Sequence, residues 1–258
     1  MIYPKFLWDN ILRGITPTFS GTTITGKEPS NATDWRDFSY FSADSGNLDY
    51  VISLDTSIDS VCFYVANFTG TGSETIVLQY ESSPSTFTTL ATLNPSGGKL
   101  SLIEFTQVTV LAGRKIRFVV TVGTGTLLIR QLVVGAIMQA EQGQYKDVID
   151  PILTQGVKIT NTISTNGSLI GRSIKRLERS GNIKIQNLSA SWVRTTWEPF
   201  VKHASRYPFI YAWNTRDYPN SISFSFASRI MPAQNNGKGD RMDVSWKVSH
   251  LVADENAV

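Results

Sequence analysis

The chain has 258 residues, of which 41% are hydrophobic and 17% charged, and its formal net charge is +3. The 28 tryptophan, tyrosine and phenylalanine residues exclude a disordered chain. No uncharged apolar stretch nears the ~18 residues that cross a bilayer, so insertion into a membrane is excluded. One cysteine and two histidines exclude an intramolecular disulfide and a His-rich metal centre. The N-terminus does not read as a signal peptide, and synthesis in a cytoplasm is expected.

The first half of the chain consists of short runs rich in Val, Ile, Thr, Phe and Tyr, separated by Gly, Ser, Pro and Asn. Such runs with a period of two are typical of β-strands. They occupy residues 48–54, 60–68, 74–82, 87–93, 100–108, 115–123 and 126–135. Seven or eight strands separated by turns predict a β-sandwich or jelly roll.

The pattern changes after Gly135, where residues 140–156 combine charge, proline and glycine in the manner of a linker. Net charge changes as well, from −2 over residues 1–140 to +5 over residues 141–258. We therefore predict two domains, with the boundary near residue 140.

The second domain is predicted to be β-rich, of the α+β type, with one short helix. Thr195 and Glu198 resemble a capping box, and Pro199 is tolerated in a first helical turn, which predicts a helix from about 197 to 205. A long basic loop is predicted at 171–181. The predicted strands are residues 157–166, 182–193, 208–213, 221–230 and 241–252.

The pattern of reactive residues indicates no catalytic constellation, no cofactor and no metal site. Cys62 lies in an apolar run and is expected to be a buried core residue. His203 and His250 have no carboxylate or cysteine at ligand spacing, which favours packing or solvated roles. Gly123 and Gly125 lie between two strands, where a hairpin turn is expected rather than a phosphate loop. The acidic residues between 34 and 49 do not have calcium-loop spacing.

One short segment combines an aromatic residue with polar neighbours. Asp34, Trp35, Arg36 and Tyr40 supply the platform and hydrogen-bonding groups that sugar binding uses, and loops at one end of a sandwich commonly carry ligand sites. Glycan binding here requires an exposed Trp35 ring. The alternative is that Trp35 closes the sandwich core, because tryptophan is mostly buried.

The most uneven charge feature is the basic stretch Arg172, Lys175, Arg176 and Arg179. Three interpretations are open: a solvated loop, a surface that contacts an acidic neighbouring subunit, and a nucleic-acid contact. Nucleic-acid binding is disfavoured, because no aromatic residues that could stack on bases lie between the basic ones. Trp192 is a further candidate for a subunit interface, although aromatic rings of this kind are also buried in protein cores.

Residues 30–35 (SNATDW), 61–65 (VCFYV), 114–120 (RKIRFVV) and 127–135 (LLIRQLVVG) resemble the galactose-binding-like, discoidin-type jelly roll. This resemblance covers about half of the chain. It implies the fold of many carbohydrate-binding modules and a possible host-surface glycan as partner.

Residues 188–192 (LSASW), 197–200 (WEPF), 208–213 (PFIYAW), the pair Tyr218 and Pro219, and Trp246 resemble C-terminal domains of tailed-bacteriophage virion proteins. The combination implies a tail-tip or baseplate subunit similar to a distal tail protein. Such a subunit forms a ring of its own copies around the tail tube, contacts neighbouring tail proteins and resides in the virion. In the proteins it resembles, the ring-forming part often comes first.

These observations favour a structural virion protein that is not an enzyme and that carries a peripheral carbohydrate-binding-like module. Residues 141–258 are expected to form the ring. The alternative is a stand-alone carbohydrate-binding or host-adhesion module without ring assembly.

Overall fold

A computed structural model describes residues 3–36, 38–69, 74–95, 100–123, 126–142, 150–166 and 168–251. The protein is mainly β, with three antiparallel sheets and one helical segment at 190–204. This confirms the predicted fold class. Two short 3-10 helices, Pro29–Thr33 and Pro151–Thr154, lie in connections between strands.

The jelly roll consists of nine strands in two facing sheets. Their bounds are Thr18–Phe19 (β2), Phe41–Ala43 (β3), Gly46–Val51 (β4), Thr56–Thr69 (β5), Thr75–Ser83 (β6), Thr86–Leu93 (β7), Leu100–Val110 (β8), Lys115–Thr121 (β9) and Thr126–Gly135 (β10). The outer sheet has the order β2-β4-β9-β6-β7, and the middle sheet has the order β3-β10-β5-β8.

Alternating side chains of these two sheets form the sandwich core. Ile116, Phe118 and Val120 of β9 point inward and are buried, and Phe118 meets Phe63 of β5 edge to face, with ring centroids 6.1 Å apart. The intervening residue Arg117 lies on the outer face. The period of two in the sequence therefore reflects one buried and one exposed face of the outer sheet.

The third sheet, termed the large sheet, contains the remaining eight strands. They are Lys5–Leu7 (β1), Met138–Gln139 (β11), Gln155–Ile163 (β12), Leu169–Ser189 (β13), Phe209–Ala212 (β14), Ile222–Ile230 (β15), Gln234–Asn235 (β16) and Arg241–Leu251 (β17). Their order is β11-β1-β14-β15-β17-β13-β12, and β16 pairs with β17.

Two strands of the large sheet, β1 and β11, come from residues 1–140, the predicted first domain. Strand β1 pairs with both β11 and β14, so the jelly roll is inserted between neighbouring strands of the large sheet. The division at residue 140 remains a prediction. Residues 5–7 and 138–139, which the sequence assigns to the first domain, pair with strands of the large sheet instead. Strands of three and two residues are too short to display a period.

The two connections to the jelly roll run side by side. The buried Asn10 side chain donates to the Leu132 carbonyl (3.0 Å) and accepts from the Val134 amide (3.2 Å). Gly135 passes so close to the chain at Asp9 that an added Cβ would lie 2.1 Å from the Asp9 carbonyl oxygen. A residue without a side chain is therefore needed at this crossing.

The helical segment covers one face of the large sheet. It comprises α1 (Ala190–Trp192), a π-helical turn (Val193–Trp197) and α2 (Glu198–Ala204). It begins earlier than predicted, because the Ser189 hydroxyl caps it by accepting from the Trp192 amide (3.2 Å). Phe200 and Trp197 pack on Trp246 of β17, with Trp197 and Trp246 ring centroids 4.6 Å apart.

The predicted basic loop at 171–181 is wrong, because those residues lie within the continuous strand β13. Its first part pairs with β12 and its second part with β17. Arg172 on this strand is exposed. The charged residues at 172, 175, 176, 178 and 179 do not follow a period of two, so this stretch lacks the alternation that indicates a strand in a sequence.

The middle sheet packs against the large sheet on the side opposite the sandwich core. The buried residues between them, termed the shared core, are Leu7, Trp35, Cys62, Tyr64, Leu100, Val133, Ile210, Ala212, Ile222 and Phe224. At its border Lys5 donates to both carboxylate oxygens of Glu104, at 2.6 and 2.8 Å. Both faces of the middle sheet are consequently covered.

Candidate functional site

The segment predicted to bind glycan forms a loop, residues 34–40, between the 3-10 helix Pro29–Thr33 and β3. Trp35 and Tyr40 lie among the described residues, whereas Asp37 lies outside them. Within the described part of the loop, one aromatic ring is buried and another is exposed.

Trp35 does not form an exposed platform. Its side chain is 3% exposed and belongs to the shared core. The ring contacts His203 of α2 edge to face (5.7 Å between centroids) and Phe224 of β15 (5.8 Å). The condition for sugar stacking on Trp35 is therefore not met, and that part of the expectation is corrected. The reason is that the large sheet covers this end of the jelly roll.

The backbone at Trp35 has a φ of 61°, in the left-handed region that non-glycine residues adopt rarely. Asp34 stabilises the turn, because its carboxylate accepts from the Arg36 amide (2.8 Å) and from the Ser39 hydroxyl (2.8 Å). The buried Gln131 side chain adds a bond to the Arg36 carbonyl (2.7 Å). The Asp34 carboxylate thus stabilises the conformation of the loop through hydrogen bonds within it.

Phe38 is the exposed aromatic residue of this loop, with 75% of its surface accessible. The Arg36 guanidinium carbon lies 6.0 Å from the Phe38 ring centroid, and the Lys27 ammonium lies 5.1 Å from the Tyr40 ring centroid. Sequence reasoning missed Phe38, since Trp35 is the larger ring. The positive φ that turns Trp35 inward has no signal in the sequence.

A second polar cluster lies on the outer face of the outer sheet. Asp49 accepts two hydrogen bonds from Arg117, at 2.7 and 2.9 Å, and Lys115 approaches it at 3.5 Å. Burial acts to raise the pKa of Asp49, but the bonds and positive charges of Arg117 and Lys115 together hold that pKa below its usual value. Arg117 also covers the Phe87 ring, 3.7 Å from its centroid.

This cluster borders a cavity of about 230 Å³ lined by Thr18, Phe19, Ser20, Asn47, Asp49 and Arg117. Both carboxylate oxygens of Asp49 are already bonded to Arg117, so the pair is arranged to fix strands β4 and β9 to each other.

The histidines and the cysteine pack against other side chains of the protein. The Ser223 and Ser225 hydroxyls lie 3.0 and 2.9 Å from His250 Nδ1, and burial, with a smaller contribution from Arg179, lowers the pKa of His250 to about 4. Cys62 is fully buried, which raises the pKa of its thiol. Across the described residues, no group of three His, Cys, Asp or Glu side chains is arranged to hold a metal ion.

The predicted interface residues lie on two elements. Arg172 is exposed on β13, Arg179 is half-buried opposite His250 of β17, and the side chains of Lys175 and Arg176 lie outside the described part. Trp192 is half-buried at the start of the helical segment and packs against its core. Their participation in an interface remains a prediction.

Within the described ranges, no helix combines the length and the apolar character needed to cross a membrane.

No family model and no curated protein matches the chain. Among solved structures, it is similar to CBM32-1 from a family 31 glycoside hydrolase of Clostridium perfringens, with 16% identity and a TM-score of 0.42 over 50% of this chain and 98% of that one. A second is CpGH89CBM32-5 of the same organism, in complex with GalNAc-β-1,3-galactose, with 13% identity and a TM-score of 0.41 over 50% of this chain and 100% of that one. A third is chitosan-binding module 2 from Paenibacillus sp. IK-5, in complex with chitotriose, with 16% identity and a TM-score of 0.40 over 49% of this chain and 99% of that one.

These three are carbohydrate-binding modules, and each is similar to about half of the chain. None of the three is a phage tail protein, so the tail-tip resemblance remains a prediction.

Replacing the two aromatic residues of the loop separates their roles. We expect Trp35→Ala to lower the free energy of unfolding by about 3–5 kcal/mol, because it empties a site in the shared core. Phe38→Ala is expected to change it by less than about 0.5 kcal/mol. Urea denaturation followed by circular dichroism measures both, and equal effects of the two variants would contradict the assignment.

Proposed function

We propose that this protein binds glycans through the loop 34–40 of its jelly roll, as a binding protein rather than an enzyme. One observation carries the proposal: the Phe38 ring is 75% exposed on a loop whose shape is fixed by the buried Trp35 and the Asp34 carboxylate. An exposed apolar ring held on a rigid scaffold is suited to stacking against the C–H face of a sugar.

The polar neighbours of Phe38 complete the requirements for such a site. The Arg36 side chain is 65% exposed and lies beside Phe38, from where its N–H groups can donate to sugar hydroxyl or carboxylate oxygens. Tyr40 is half-buried at the end of the loop. Of the residues predicted from sequence, Arg36 and Tyr40 are retained as ligand contacts, and Phe38 replaces Trp35 as the platform.

The full chain is expected to bind a subset of sugars on a glycan microarray, with dissociation constants near the millimolar range because the loop surface is open. Phe38→Ala is expected to weaken binding of the best ligand at least tenfold, measured by NMR titration. Tyr218→Ala is the matched control, since Tyr218 is 53% exposed on the second domain. Binding that survives Phe38→Ala, or equal loss in both variants, would contradict the site.

A second candidate function is assembly with other copies of the chain. The observation that favours it is the hairpin β12–β13, in which residues 158–163 and 172–173 are exposed. Ile159, Ile163 and Ile170 are 47%, 61% and 68% exposed. A two-stranded ribbon with exposed isoleucines is marginally stable alone in water, and contact with another protein would stabilise it.

This hairpin supports the proposal of a ring subunit in a bacteriophage tail tip, with residues 141–258 forming the ring and the jelly roll at its periphery. Ile159 and Ile163 lie four residues apart on one strand and therefore share a face. Arg172, opposite Asn161 in the pairing register, adds a positive charge to the same face. A neighbouring subunit with an apolar patch and an acidic rim would cover the two isoleucines and pair with Arg172.

Light scattering of the full chain tests assembly. We expect a closed oligomer that the double variant Ile159→Glu and Ile163→Glu dissociates, while Leu54→Glu on the jelly roll, 74% exposed in the chain, leaves it intact. A monomeric wild-type chain, or an oligomer that survives the double variant, would contradict the proposal.

Replacing Arg172, Lys175, Arg176 and Arg179 together by Ala tests the charged part of that surface. We expect the variant to assemble more weakly than the wild type, whose own assembly weakens with added salt because salt screens charge contacts. The melting temperature is expected to stay nearly unchanged, since an exposed charge such as that of Arg172 contributes ~0–1 kcal/mol to folding. Unchanged assembly would favour a solvated basic surface. Salt-sensitive retention of DNA by the wild-type chain would instead favour nucleic-acid binding.

A further inference from the structure

The large sheet has an open edge in its interior. Strand β15 pairs with β17 from Phe224 to Ile230, with a shift of register between Ala227 and Arg229, but with β14 only from Ile222 to Ser225. Strand β14 begins at Phe209, directly after Pro208, which has no amide hydrogen to continue a ladder. Within the described part of the sheet, residues 226–230 of β15 therefore have a strand on the β17 side and none on the opposite side. Such an edge is a template for an additional strand.

An apolar groove accompanies this open edge. The helical segment 190–204 and the end of β15 enclose a cavity of about 620 Å³, open on one side. The apolar residues that line it are Val193, Trp197, Val201, Ala227, Ile230, Met231, Pro232 and Ala233. Cavities of this size and lining are typical of binding sites.

Positive charges border the groove. Arg194 and Arg229 are exposed at its rim, and the acidic lining residue Glu198 pairs with Lys202 instead (3.2 Å). No ion pair of Arg194 or Arg229 occurs within the described part of the chain. An adjoining cavity of about 420 Å³ shares Arg229 and is also lined by Lys184 and Lys247. The field over this edge favours an anionic partner.

We propose that this groove binds an extended, acidic segment of another protein, which adds to β15 as a strand. Successive side chains of a strand point to opposite sides, so alternate apolar residues of the partner fill the groove while its carboxylates meet Arg194 and Arg229. This site is separate from the glycan loop. The chain's own β12–β13 hairpin is disfavoured as occupant, because it brings Lys158 and Arg172 to a positively charged rim.

The test uses the full chain and fluorescein-labelled decapeptides, with binding measured by anisotropy. A peptide of alternating valine and glutamate is expected to bind at least tenfold more tightly than one of alternating valine and lysine. The double variant Arg194→Ala and Arg229→Ala is expected to lose at least fivefold in affinity. Arg216→Ala, whose side chain is 94% exposed beyond the groove, is the matched control and should bind as the wild type.

Strand addition has its own control, because charge attraction alone needs no backbone pairing. Only every second amide of an added strand faces β15, so one acidic peptide is N-methylated at its valine amides and another at its glutamate amides. One of the two is expected to lose at least tenfold in affinity. Equal binding of both methylated peptides and the unmethylated one, or equal binding of the lysine peptide, would overturn the proposal. Tighter binding of a peptide with residues 155–173 of this chain would overturn it in favour of a second copy as occupant.

Discussion

Burial of the middle sheet on both of its faces is the constraint on which the rest of the structure depends. In β5, Val61 and Phe63 pack into the jelly-roll core, whereas Cys62 and Tyr64 pack into the shared core with the large sheet. Each large apolar side chain buried in this way contributes about 1.5–3 kcal/mol to stability. The jelly roll and the large sheet are therefore held together by an apolar interface, in addition to the paired connections at Asn10 and Gly135.

This interface also determines what the jelly roll can present to a ligand. Trp35 is drawn inward against Phe224 and His203, and its positive φ turns the next residues outward. Phe38 is exposed as a consequence. The same packing gives the loop a defined orientation on the large sheet, so a glycan bound at Phe38 would be held in a fixed direction relative to the hairpin β12–β13. The proposed glycan loop and the proposed assembly hairpin are separate surfaces of the chain.

The parts predicted correctly from sequence are those with a clear period or a continuous apolar run. The run 61–65 predicted a buried strand, and its lack of alternation is explained by two covered faces. The basic stretch of β13 is predicted as a loop because its charged residues do not follow a period of two. The two- and three-residue strands β1 and β11 carry no pattern at all, and their pairing depends on contacts over more than 130 residues of sequence.

The most direct test of this account is the reactivity of Cys62, the one cysteine of the chain, which lies fully buried in the shared core. Labelling by a thiol reagent can be followed in increasing concentrations of urea and compared with global unfolding. If the jelly roll and the large sheet form one cooperative unit, labelling requires global unfolding, and its rate rises with urea with the same slope as the unfolding equilibrium. Rapid labelling that is independent of urea, in a chain whose circular dichroism remains native, would show that the two separate without unfolding and would contradict the account.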